Sequence, residues 1–175
     1  IGNTTPDFLK TFEVAGVGFP LLRGDQELVA AIPVGGPDQL ALVTTRATGR
    51  HGSDNFQSQL VWVSMKRQKT IGRVDLNPKS YPLDYHRRAG RLLTFTPTKS
   101  SGFNEEGYFT IWSLTAGEAD AKPLKSWQAS CHIDDKSGFA TIVDENVVVA
   151  CTAQNEFAAW NVNDEKQIYY FKQDS

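Results

Sequence analysis

A chain of 175 residues with 40% apolar and 11% aromatic residues is long enough for one filled core and too apolar for a disordered segment. Its 18 basic and 20 acidic residues are interspersed to a net charge of -2, which excludes the broad basic field that a phosphate backbone requires, so no nucleic-acid partner is expected. The longest apolar runs, such as 147–150, are strand-length and far short of the roughly 20 residues that span a bilayer, so no membrane partner is expected either.

The first strand signal is FLKTFEV (8–14), stopped by the Gly-rich AGVGF. Gly16-x-Gly18 lacks a third glycine and a following helical pattern, so it reads as a turn and not as a nucleotide loop. Arg23-Gly24-Asp25 is likewise a turn between apolar runs. Asn3-Thr4-Thr5 fits the N-glycosylation pattern, which matters only in a secreted chain.

LVAAIPV and LALVTT, joined by Gly35-Gly36-Pro37-Asp38, predict a hairpin; the polar loop RATGRHGSDNFQS then leads to QLVWVSM and TIGRVDL. The same order returns twice. YPLDY and RLLTFT form a second hairpin, followed by a loop over 97–106, YFTIWSL and PLKSW. FATIV and VVVACT form a third, followed by EFAAWNV and QIYYF. Trp62, Trp112 and Trp160 stand near the end of each third strand, giving a period of about fifty residues and units of about 28–76, 81–127 and 139–171. The fold class is therefore all-β: three four-stranded antiparallel units plus the extra strand at 8–14.

A lone four-stranded sheet has two faces and can bury neither, whereas stacked sheets bury both. LALVTT, RLLTFT and VVVACT are apolar nearly throughout, as strands covered on both sides should be, and the fourth strands carry charge or hydroxyls. This gradient points to stacked propeller blades.

GRLLTF with EGYFTIWSLTAGE resembles the WD-repeat pattern, in which a glycine turn precedes the second strand and a glycine opens a third strand ending in Trp-Asp. Gly107 and Trp112 take the glycine and tryptophan positions; Ser113, Asn161 and Val63 stand where the family has Asp. The resemblance covers nearly the whole chain and implies a β-propeller acting as a protein-binding platform. Residues 159–166, from Ala159-Trp160-Asn161 to Lys166, loosely resemble the quinoprotein repeat instead, which would imply a fragment of a propeller enzyme.

Among chemically suggestive residues, His51, Ser53 and Asp54 are too close in one loop to form the long-range geometry of a hydrolase triad. His132, Asp134 and Asp135 suit a divalent ion but also suit a solvated linker, and His86-Arg87-Arg88 reads as a solvated turn. The repeated tryptophans read as packing between sheets before they read as a stacking surface. Cys131 and Cys151 read as isolated small thiols. No catalytic residue, cofactor or metal ion is expected.

The expected function is a non-catalytic interaction platform that binds protein partners through the connections between second and third strands. Arg50, His51, Asp54, Phe103 and Asn104 are the binding candidates. The alternative is an enzyme fragment, quinoprotein-like or hydrolase-like, with its catalytic groups elsewhere. Known rings take about four to eight blades, so three cannot close, and the first and last would expose apolar faces. The chain is therefore expected to be part of a longer propeller, completed by further blades or by a second copy in a two-fold homodimer.

Overall fold

The computed structural model describes residues 26–34, 38–48, 56–67, 69–101, 104–115, 119–134, 137–153 and 156–172. The strand expected at 8–14 lies outside them, as do Arg50, His51, Asp54 and Phe103.

The fold is all-β, and every strand pairing is antiparallel. The first sheet takes β1 (Gln26–Pro33), β2 (Gln39–Ala47), β3 (Phe56–Ser64) and β4 (Lys69–Asp75) in chain order. In the second, β5 (Tyr81–His86), β6 (Arg91–Ser101), β7 (Asn104–Thr115) and β8 (Asp120–Asp134) are followed by the short β9 (Ser137–Gly138). The third comprises β10 (Ala140–Asp144), β11 (Val147–Ala153), β12 (Glu156–Asn161) and β13 (Lys166–Lys172). Each sheet is thus a meander of consecutive β-branched and aromatic runs.

The sheets stack through two apolar layers. Val43, Leu60 and Trp62 of the first sheet meet Leu92, Trp112 and Leu114 of the second. On the far side of the second sheet, Phe95, Phe109 and Trp127 meet Val148, Ala158 and Trp160 of the third. Strands of the middle sheet are covered on both faces, which is why Leu92 and Leu93, pointing opposite ways, are both buried. Some polar groups in these layers find partners, since the Trp112 Nε1–H donates to Thr94 Oγ1 at 3.0 Å and the Ser58 hydroxyl donates to the Ser80 carbonyl at 2.5 Å, whereas the Trp62 and Trp127 Nε1–H groups are buried without one.

Three expectations are corrected. The first is that Trp62 matches Trp112 and Trp160. A bulge separates Ile111 from Trp112 and Ala159 from Trp160, and the equivalent bulge in the first sheet falls between Trp62 and Val63. The position of Trp112 and Trp160 is therefore held by Val63. Because side chains alternate across a strand, this offset of one residue sends Trp62 toward the following sheet, while Trp112 and Trp160 face the preceding one.

The second concerns the loop expected over 97–106. β6 runs on to Ser101 and β7 starts at Asn104, so most of that span is paired strand, with β8 alongside β7 as far as His132. Its residues are mostly polar and partner one another, with the Thr98 hydroxyl donating to the Glu106 carbonyl at 3.0 Å and Lys99 approaching Glu106 at 3.7 Å. Gly107 accordingly sits inside β7 instead of opening it. PLKSW is likewise only the middle of the 15-residue β8.

The third concerns exposed faces. The outward face of the first sheet, formed by Ala31, Leu42, Val61 and Val63, is closed to solvent: Val61 and Val63 are 0% exposed. Among the described sheet faces, the outward face of the third sheet is the one left open.

Candidate functional site

Two features of the third sheet stand out, one on each face. Toward the second sheet, a cleft of about 610 Å³ opens between β7 and β8 on one wall and β11 to β13 on the other. Glu105, Gln128, Ser130, Glu156, Trp160 and Tyr170 line it. Gln167 and Tyr170 line the cleft because they pair with Trp160 and Ala158, whose side chains join the inter-sheet layer, and the bulge between Ala159 and Trp160 lets these two residues, three apart on β13, share one side.

The carboxylates of the cleft differ. Glu156 accepts from the Lys172 ammonium at 2.7 Å and from the Tyr170 hydroxyl, and these bonds hold its carboxyl below the usual range. Glu105 has one carboxylate oxygen, Oε2, buried without a hydrogen-bond partner, and burial pushes its carboxyl up. Below the cleft, burial first, then the neighbouring Cys151 and Glu105, push the Cys131 thiol up to about 12. Cys151 is raised too, mainly by burial. Both cysteines carry free thiols.

On the opposite face, Phe139, Phe157 and Phe171 run in a row across the sheet: Phe157 pairs with Phe171 and with Cys151, whose N–H donates to the Phe139 carbonyl. The Phe139 and Phe157 rings meet edge to face, with centroids 6.3 Å apart. Tyr169 adjoins the row opposite Ala159. Phe139, Tyr169 and Phe171 are 63%, 62% and 46% exposed, a contiguous aromatic surface on one face of one sheet.

Of the sequence-derived candidates, Asn104 begins β7, paired with Ser101 and His132. Arg50, His51, Asp54 and Phe103 lie outside the described residues, so nothing brings the five together. His132 lies in β8 and His86 Nδ1 accepts the Ala89 N–H at 3.3 Å, ordering the turn before Gly90, whose φ of 60° is left-handed. Among the described residues no group of three or more His, Cys, Asp or Glu side chains is placed to hold a metal ion. The four tryptophans are at most 5% exposed and belong to the core layers.

The sequence predicts an exposed apolar face on the last sheet without naming Phe139, Phe157, Tyr169 or Phe171, and it does not predict the cleft. The available signal was in QIYYFK, where aromatic residues occupy both faces of an outermost strand. A comparison with protein-family models finds no match, and a comparison with curated proteins finds none.

Proposed function

We propose that the three sheets are blades of a WD-like propeller segment and that the chain is a non-catalytic platform for protein partners. The observation that carries this reading is the open aromatic face of the third sheet, at the end of a stack in which every other described sheet face is covered. An apolar surface of this kind on one sheet marks an interaction site. The meander order of each sheet, the face-to-face stacking and the recurrence of a bulge beside the equivalent residues Val63, Trp112 and Trp160 support the propeller reading. Partners would also reach Arg50, His51, Asp54, Phe103 and Asn104, and no nucleic acid, membrane, cofactor or metal takes part.

The test uses the full chain as bait beside a variant with alanine at those five positions. A defined partner that is held by the parent and lost by the variant supports the platform. A metal ion or quinone that copurifies stoichiometrically, with partner retention unchanged by the substitutions, overturns it in favour of the enzyme fragment.

A further inference from the structure

The open face of the third sheet repeats, position for position, a face that is covered elsewhere in the molecule. Aligned on their bulges, Phe157, Phe171 and Cys151 of the third sheet correspond to Phe109, Trp127 and Phe95 of the second. Ala159 corresponds to Ile111 and, in the first sheet, to Trp62. In the second sheet that row is closed: Phe95 and Phe109 are 0% exposed and Trp127 is 5% exposed. It is closed by the next sheet, whose Trp160 indole stands 5.5 Å from the Phe109 ring and 6.5 Å from Trp127, centroid to centroid. The first sheet follows the same rule, since Trp112 enters the layer that holds Val43, Leu60 and Trp62.

We infer that the face carrying Phe139, Phe157, Tyr169 and Phe171 is the receiving half of a third inter-sheet layer. Its occupant is a four-stranded antiparallel sheet that presents an indole at the place Trp112 and Trp160 take. The inference rests on the stacked-blade reading and adds to it the direction of growth, the row that receives and the group received.

A second copy of this chain is the weaker occupant. The face it would have to offer head to tail is the outward face of its first sheet, where Val63 replaces tryptophan and Val61 and Val63 are already fully buried. Two copies could meet only aromatic face to aromatic face, a contact that matches neither layer inside the molecule.

A second copy of residues 135–172 appended after Ser175 tests this, because that stretch already carries a sheet that docks by its indole. Hydroxyl-radical labelling of Phe139, Tyr169 and Phe171 in the original third sheet is expected to fall at least about fivefold as the face is covered. Trp160→Ala made only in the appended copy is expected to restore the labelling. Labelling unchanged by the extension, whether the appended strands are protected from hydrogen exchange or not, overturns the inference. So does an unextended chain that doubles its mass with concentration while losing the same labelling, since its occupant is then a second copy. If the appended sheet fails to dock while the bait experiment still holds a partner through residues 50–54 and 103–104, the inference falls and the platform stands.

Discussion

The Asp84 carboxylate on the first strand of the second sheet accepts the hydroxyl of Thr141, on the first strand of the third, at 2.7 Å. The same oxygen accepts the Ile142 N–H at 2.7 Å, and the other takes the N–H of Tyr85. One side chain therefore closes the exposed N–H of an edge strand and fixes how two sheets sit. Lys125 with Glu165, 3.4 Å apart, and Arg91 with the Glu145 carbonyl reinforce the same pair of sheets from the turns. Hydrogen bonds to a charged acceptor contribute more than neutral ones, so Asp84→Ala should cost about 1.5–3 kcal/mol in urea unfolding and Thr141→Val about 1 kcal/mol. The double variant should lose less than the sum, since both substitutions remove one contact.

Gly107 is required by space. A Cβ there would lie 2.8 Å from the Phe95 ring and 2.8 Å from Pro97 Cα, and would also strike the Thr96 carbonyl oxygen. Backbone cannot yield as a flexible side chain can, so Gly107→Ala should destabilise by about 1–3 kcal/mol. Tyr108→Ala, next to it but 42% exposed, should stay within about 0.5 kcal/mol.

The offset of Trp62 makes the tryptophans report on different layers. Trp62→Ala and Trp160→Ala should each cost about 3–5 kcal/mol. Their hydrogen-exchange signatures should separate, with Trp62→Ala loosening amides of β1 to β8 and sparing β10 to β13, and Trp160→Ala loosening β5 to β13 and sparing β1 to β4. Equal loosening of all three sheets by both variants would count against two independent layers.

The thiols should be slow. With Cys131 at about 12, only about one molecule in 10,000 carries its thiolate at pH 8, and the thiolate is the attacking form. Labelling of the Cys151→Ser variant by a disulfide reagent should therefore proceed no faster than global unfolding, and faster labelling would show that Cys131 is not enclosed.

Glu105 gives a pH dependence with a defined sign. Its folded carboxyl holds a proton more tightly than the unfolded one, so its contribution is fully present below the ordinary carboxylate range and is lost as pH rises through the folded value. Glu105→Gln should raise Tm at pH 7, and the gain should vanish on acidification. A Tm difference independent of pH would trace it to packing.

The strands were legible because each is a β-branched or aromatic run between turn residues, and the buried second strands were legible in the apolar density of LALVTT, RLLTFT and VVVACT. Facing was less so. Which side Trp62 occupies depends on a bulge between Trp62 and Val63, a backbone irregularity that no side chain announces. The extension of β6 and β7 was missed because its polar residues are held by backbone pairing, to each other and to β8, and show no apolar alternation. The cleft was invisible for another reason: Glu105 and Tyr170 are far apart in sequence and meet only when two sheets stack.

The meander order of the sheets also governs how the chain can be made. No described strand waits for a partner far along the sequence, since each pairs with its neighbour in order. Such local pairing lets the sheets form one after another as synthesis proceeds. The aromatic row of the second sheet stays uncovered until Trp160 has emerged and β12 can pair. Each finished sheet is thus a template on which the next is laid, and the interval before that next sheet arrives is when a chaperone would find Phe95, Phe109 and Trp127 within reach.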